Sequence, residues 1–374
     1  MGNARRKAMA ARHARRRRMI TIGVVIALLV GAGLIYFFVV RDSSTSPSAA
    51  GGNAAEAFEG GSTELVYADF ADSRDLHRLD LEDGADEVVG ELPRSGQTDA
   101  GPGSTWVVIQ IVDEEDGRLV PGLYLYDTEA DEEVRLGVGF EPAWSADGSH
   151  LAYVVPEDPS QCGEEACNGP RRVAVVDVAA PEPQELTEVG ENNVIGWAGD
   201  HVVIQNEDQP GSPIAQTVSL DGAVEDLPML PREFWGASPD GRWAIQSDED
   251  GARFFAMSNG RVEGEGVEIG IPDGTELGTG GWAHDSSMVA STALDDDGVL
   301  QLVTFSPDDP EPATMAPGGE SSVVDVLWTP DNDAFVFQRF TGEELEAVHC
   351  SVGDPDSCDV LLSWTRGITL LRIE

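Results

Sequence analysis

From about residue 60 onward, apolar positions come in short runs of four to seven, continuous or alternating with polar ones, bounded by Gly, Asp, Pro or Asn. No stretch there holds a helical period for more than a turn or two. Period-two alternation closed by turn formers predicts strands and hairpins, and hence an all-β domain. The runs also repeat a phrase. It reads "FEPAWSADGSHLAYVV" at 140–155, "WGASPDGRWAIQS" from Trp235, "GWAHDSSMVASTA" from Gly281 and "VLWTPDNDAFVFQ" from Val326, with a shorter copy, "IGWAGDHVVIQN", from Ile195. Each copy holds an apolar approach, a Ser/Thr-x-Asp-Gly-like turn and a second strand. Asp caps such a turn through its side chain, and Gly accepts a positive φ without steric cost.

A second hairpin follows each copy, as in "LYLYDTEADEEVRL", "VAVVDVAAPEPQEL" and "QLVTFSPDDPEPATM". Two hairpins make a four-stranded antiparallel sheet. The spacing of Trp144, Trp197, Trp235, Trp282 and Trp328 averages within the ~40–50 residues of a propeller blade. Two earlier units, "ELVYADF" with its hairpin and "STWVVIQIVDEEDG" with "GLYLYD", lack the signature tryptophan of the phrase but keep the rest. Counting both predicts a seven-bladed β-propeller, with six or eight blades as alternative counts. A lone blade cannot bury both faces of its sheet, and a ring of blades can. After the last hairpin the chain continues "WTRGITLLRIE". Residues 367–373 are expected to cross over and complete the first blade, because an open ring leaves a row of unpaired backbone groups. The alternative is a fourth strand inside the last blade.

The phrase residues Trp144-Ser145-Ala146-Asp147-Gly148, Ser238-Pro239-Asp240-Gly241-Arg242 and Trp328-Thr329-Pro330-Asp331 resemble the WD40-like repeat of TolB-type propellers. The same repeat occurs in the propeller domains of tricorn and prolyl-oligopeptidase-like peptidases. The likeness covers most of residues 60–374 and implies the fold; propellers host many unrelated activities. TolB-type propellers act through protein–protein contacts in the cell envelope, so the resemblance implies a binding role of that kind. The chain departs from the pattern where Ser286 follows Asp285 and Asn332 follows Asp331 in place of Gly, and where the copy at Trp197 loses part of its turn.

Charge divides the chain sharply. Eight Lys and Arg fall within the first 18 residues, and no acid precedes Asp42. All 68 acidic residues lie beyond that point, against 14 arginines and no lysine. Such a surface repels nucleic acid, whose binders carry basic footprints. Met19–Val40 is a run of 22 residues without a charge, long enough to span a bilayer core as a helix. The basic flank holds the N-terminus in the cytoplasm by the positive-inside bias. The expected organisation is a cytoplasmic tail at 1–18, a transmembrane helix at 19–40, a flexible Ser/Gly/Ala/Pro linker at 41–60 and an extracytoplasmic propeller at 61–374. A cleaved signal peptide is the alternative; its apolar region is shorter and ends beside its cleavage site. The pair Arg17-Arg18 admits a twin-arginine reading, though an arginine-rich flank produces it by chance, and no cysteine follows the run to carry a lipoprotein anchor.

Cysteines come as two close pairs, Cys162 with Cys167 and Cys350 with Cys358. In an exported segment they predict two local disulfides; the zinc alternative needs four ligands at suitable spacing. Chemistry beyond that is sparse. No G-x-S-x-G elbow occurs, and Ser238-Pro239-Asp240-Gly241-Arg242-Trp243 lacks the sialidase spacing. His150 occupies the repeat position of Trp243 and Met288, which marks a packing or surface residue rather than a ligand. The acidic stretches "VDEEDGRLV", "SDEDGARFF" and "LDDDGVLQL" miss the EF-hand register and read as hairpin turns. No catalytic, cofactor-binding or metal residue is singled out, and no cofactor. The sequence therefore predicts a single-pass membrane protein whose propeller binds or scaffolds an envelope protein or cell-wall component. The alternative is a lactonase- or glycosidase-like propeller enzyme with a site in the central channel. A receptor reporting inward is a third reading, for which the basic tail leaves no room.

Overall fold

The computed structural model describes residues 48–49 and 64–373, apart from short stretches of which 207–213 is the longest. The chain divides into two units: Met1–Thr45, which lies outside the described residues, and Ser46–Glu374, which carries the whole of the described structure. The predicted span Met19–Val40 is among the residues not described, and among those described no helix is long and apolar enough to cross a membrane.

Seven antiparallel sheets form seven blades. Blade 2 spans 97–138, blade 3 140–185, blade 4 192–226, blade 5 234–269, blade 6 280–317 and blade 7 322–364, each with four consecutive strands. Blade 1 is composite: Ile368–Ile373 is its first strand, followed by Glu64–Asp69, Asp75–Asp80 and Asp86–Glu91. The expected crossover is present, with Leu65 opposite Ile373 and Asp69 opposite Ile368. "ELVYADF" accordingly begins blade 1 at its second strand. Ser48–Ala49, within the expected linker, adds a short fifth strand against Ser363 and Leu362 of blade 7.

First strands touch one another at most junctions between neighbouring blades, which places them along the ring's interior. The core is divided accordingly into seven clusters, one for each interface between blades. Leu65, Tyr67 and Leu79 of blade 1 pack with Val336, Leu362 and Trp364 of blade 7 and with Ile368 and Leu370 of the closing strand. Val173 and Val175 of blade 3 meet Val202, Ile204 and Val218 of blade 4, and Phe254 of blade 5 meets Val289 and Phe305 of blade 6. Fully burying one such side chain contributes about 1.5–3 kcal/mol, which is why no blade stands alone.

Both expected disulfides are formed. Cys162–Cys167 bridges the loop between the second and third strands of blade 3, and Cys350–Cys358 closes the outer hairpin of blade 7. The three acidic stretches are flanked by the paired second and third strands of blades 2, 5 and 6, and the residues expected to turn, 116–117, 249–250 and 295–299, lie outside the described residues.

Candidate functional site

The repeated phrase builds the turn between the first and second strands of a blade. In blade 3, Ser145 N donates to His150 O at 2.9 Å and Gly148 N to Ser145 O at 2.9 Å. Ser145 Oγ and Ser149 Oγ both donate to Asp147 Oδ1 at 2.7 Å, and Ser149 N adds a third bond at 3.0 Å. Burial works against the Asp147 carboxylate, but these bonds outweigh it and hold its pKa below the ordinary aspartate value. Blade 5 repeats the arrangement: Ser238 Oγ donates to Asp240 Oδ1 at 2.7 Å and Arg242 N to the same oxygen at 3.0 Å. Asp240 is likewise lowered, burial again opposing the bonds from Arg242 and Ser238.

Gly148 and Gly241 adopt φ of 64° and 67°, and Ser286 and Asn332, the two departures, hold the same conformation at 65°. The substituted side chains have a use. Ser286 Oγ of blade 6 accepts from Asp240 N of blade 5 at 3.0 Å, and Asn332 Oδ1 of blade 7 accepts from His284 N of blade 6 at 2.7 Å. Where Gly is kept, the neighbouring turn comes too close for a side chain: a Cβ on Gly148 would lie 2.3 Å from Pro102 O of blade 2. Successive turns are thus clasped together, by backbone packing or by a side chain in place of glycine.

The tryptophans add a second latch. Trp144 Nε1 donates to Asp99 O at 3.4 Å, Trp197 to Ala143 O at 2.9 Å and Trp328 to Gly281 O at 3.1 Å, each acceptor lying on the first strand of the preceding blade. Trp235 does not belong to this series. Ala237 holds its place before the turn, while Trp235 sits at a shift in register between Phe234 and Gly236. The bulge turns its indole the other way, and Nε1 donates to Gly278 O, ahead of blade 6, at 2.7 Å.

Between the inner turns of blades 3 to 6 the surface is hollowed into a groove of about 730 Å³, lined among others by Asp147, His150, Trp197, Asp200, Asp240 and His284. His150 is therefore a groove residue as well as a packing one, its ring 6.2 Å from that of Trp197. His284 Nε2 donates to Trp328 O at 3.2 Å. Sequence reasoning did not assemble these residues because they come from four blades; the signal was the shared repeat position of His150 and its counterparts, which a ring brings to one mouth.

Ser149, His150 and Asp147 look at first like a nucleophile, base and acid. The hydrogen bonds run in the wrong sense for that. Asp147 Oδ1 contacts Ser149 Oγ directly at 2.7 Å, and His150 Nδ1 lies 2.8 Å from that same hydroxyl, so the carboxylate engages the hydroxyl and not the imidazole. A catalytic base has to accept from the nucleophile, with the carboxylate behind it. Among the described residues, no three His, Cys, Asp or Glu stand together as metal ligands.

The fold and the turn ring define a seven-bladed β-propeller. No protein-family model matches the chain, and no curated protein matches it in sequence. Solved structures do. The β-propeller domain of the trilobed protease from Pyrococcus furiosus has 14% identity and a TM-score of 0.54, over 80% of this chain and 92% of that one. That domain is described as having an open velcro topology, whereas here Ile368–Ile373 pairs with Glu64–Asp69. Periplasmic gluconolactonase from Pseudomonas aeruginosa has 13% identity and a TM-score of 0.52, over 83% and 99%. TolB from Acinetobacter baumannii has 13% identity and a TM-score of 0.45, over 83% of this chain; the chain spans 65% of the length of TolB. At these identities the likeness is one of fold.

Proposed function

We propose that the chain is a membrane-tethered, extracytoplasmic binding or scaffolding module, which holds an envelope protein or cell-wall component in the groove between the inner turns of blades 3 to 6. The groove itself carries the reading: about 730 Å³ of concave surface assembled by four successive blades lies within the usual range of binding pockets. Its walls are fixed by hydrogen bonds that cross from blade to blade, so a partner meets a pre-organised surface. Its Ser145, Ser149 and Ser238 hydroxyls serve the turns. The tether rests on the uncharged run Met19–Val40 behind its basic flank, and the two disulfides accord with an oxidising compartment.

Two measurements test it. A photo-crosslinking amino acid placed at Asp200, whose side chain is 85% exposed at the groove, should capture one envelope component in living cells. The same amino acid at Val88, 59% exposed on the outer strand of blade 1, should not; equal yields from both sites would overturn the groove. Protease added to intact cells or spheroplasts should remove the acidic domain, and protection of the domain without detergent would reverse the topology.

A further inference from the structure

A second cleft, of about 590 Å³, opens between blades 3 and 4, away from the inner turns. Blade 4 makes room for it. Its outer strand, Val224–Asp226, has three residues, where the outer strand of blade 3, Ala180–Glu185, has six and that of blade 5, Arg261–Ile269, has nine. The wall of blade 4 follows from its register. Val202, Val218 and Val224 lie in one row across three strands, and Ile204, Gln216 and Asp226 in the next row on the same face. The inner part of that face is sealed, with Val202 and Val218 at 0% exposure and Ile204 at 2%. Toward the rim it becomes polar, from Gln216, still buried, to Asp226, which is exposed.

There the side chains form a chain of carboxamides: Asn206 Nδ2 donates to Gln216 Oε1 at 3.2 Å, and Gln216 Nε2 to Asp226 Oδ1 at 2.7 Å. Beside Asn206, on the first strand of the same blade, Asn192 Nδ2 donates to Glu188 O of the segment leading in from blade 3, at 3.2 Å. Val189 and Val224 are 41% and 49% exposed, two of the few large apolar side chains so open, and both line this cleft. A polar rim at Asn206 and Asp226 beside aliphatic lips suits the main chain of an extended peptide, with Gln216 bracing the two rim side chains from behind. Among the described residues the lining includes no aromatic side chain, so a sugar ring finds no stacking face there.

Charge selects among peptides. Glu185 and Glu188 line the cleft and Asp226 adjoins it, while Arg172 is already paired with Glu185 at 2.8 Å. The chain as a whole carries a formal charge of −45, and a field of that sign draws in cations. We infer that the cleft between blades 3 and 4 binds an extended, basic peptide segment of a partner chain, with a small aliphatic side chain seated between Val189 and Val224. This site is separate from the groove at the inner turns and stands or falls independently of it.

The test uses the full-length protein in detergent and two labelled peptides, acetyl-Lys-Val-Lys-Val-Lys-amide and its Glu-Val-Glu-Val-Glu counterpart, followed by fluorescence anisotropy. Saturable binding of the basic peptide is expected, at least tenfold tighter than that of the acidic one. Val224→Arg should weaken it at least tenfold. Val267→Arg, an equal charge change at a site 45% exposed on blade 5, should leave it within twofold. Equal losses in the two variants would show attraction to the general field and overturn the site. So would failure of the basic peptide to saturate, or its displacement by a neutral oligosaccharide.

Discussion

Leu65 and Ile373 stand opposite each other in the seam of the ring, one near the start of the described propeller and one at its end. The strand carrying Ile373 is buried along most of its length: Ile368, Leu370, Leu371 and Ile373 are between 3% and 7% exposed. It packs on both neighbours, blade 7 through Ile368 and Leu370 and blade 2 through Leu371.

Deleting residues 368–374 should therefore remove one ladder and two interfaces together. Four buried aliphatic side chains at about 1.5–3 kcal/mol each amount to much of the net stability of an ordinary domain, about 5–15 kcal/mol. The truncated chain is expected to lose cooperative unfolding, or to melt at least 10 °C lower, by differential scanning calorimetry. A melting temperature unchanged by the deletion would mean the ring is held shut by side-chain packing alone.

The tryptophan latches predict a difference between equivalent positions. Trp328 Nε1 bonds Gly281 O at 3.1 Å, whereas Trp282 Nε1 is buried without a hydrogen-bond partner among the described residues. Trp328→Phe gives up a hydrogen bond of about 1 kcal/mol as well as ring volume; Trp282→Phe gives up volume and an unpaired donor. Urea titration should find the first substitution the more costly, by about 1 kcal/mol. Equal costs would assign the tryptophans a packing role only.

Much of this ring can be read from the chain. Hairpins marked by Asp-Gly turns, such as the one at Asp147-Gly148, are local, so strand, turn and strand all leave a signal within a dozen residues. The closing strand was legible for a different reason: Ile368–Ile373 is an apolar run with no hairpin partner beside it. Other features left no such trace. The first strand of blade 2, Gln97–Ala100, buries only Thr98 and Ala100, too little pattern to announce a strand. The bulge that turns Trp235 toward blade 6 depends on register with Trp243–Asp248 and not on composition. Asp147, Trp197, Asp200, Asp240 and His284 meet only because four blades are wrapped about one axis, a relation that spacing along the chain does not encode.

At Asn332 two effects oppose each other. A non-glycine residue at φ of 65° carries backbone strain, though asparagine tolerates that region better than most residues. Its Oδ1 accepts from His284 N at 2.7 Å and ties blade 7 to blade 6. Asn332→Gly relieves the strain and loses the tie. With the strain small for asparagine and a hydrogen bond worth about 0.5–1.5 kcal/mol, the variant should be less stable by up to about 1 kcal/mol in chemical denaturation. A more stable variant would show that the repeat's glycine is the better solution and the clasp incidental.

The disulfides should differ in their worth although both close short loops. Chain entropy alone gives each roughly 2–3 kcal/mol. Cys350, however, is 0% exposed within the cluster joining blades 6 and 7, so replacing Cys350 and Cys358 by Ala also loses core packing. Cys167, 6% exposed, also packs in a cluster, the one between blades 3 and 4, with Cys162 only partly buried against it, so the loss of packing there is smaller. The Cys350/Cys358 double variant is expected to melt several degrees below the Cys162/Cys167 one. The reverse order would place the greater constraint in the blade 3 loop.

Acid should act first through His349. This residue is 1% exposed on the third strand of blade 7, opposite Val336 and Asp359. Burial pushes its pKa from the usual 6.5 down to about 4, so the folded protein keeps it neutral. The unfolded chain binds this proton more readily. Its contribution to stability is therefore fully present above pH 6.5, and it is lost as pH falls toward 4. A shift of that size corresponds to about 3 kcal/mol at 1.36 kcal/mol per unit. Asp147 and Asp240, lowered from 3.8, act the same way in a lower window, contributing above the unfolded value and losing it as pH falls through their folded values. Urea midpoints measured from pH 7 to 4 should fall steadily in the native protein. In His349→Gln the slope between pH 6.5 and 4 should flatten, whatever the variant's stability at pH 7. A parallel slope in the two proteins would remove His349 as the acid-sensitive group.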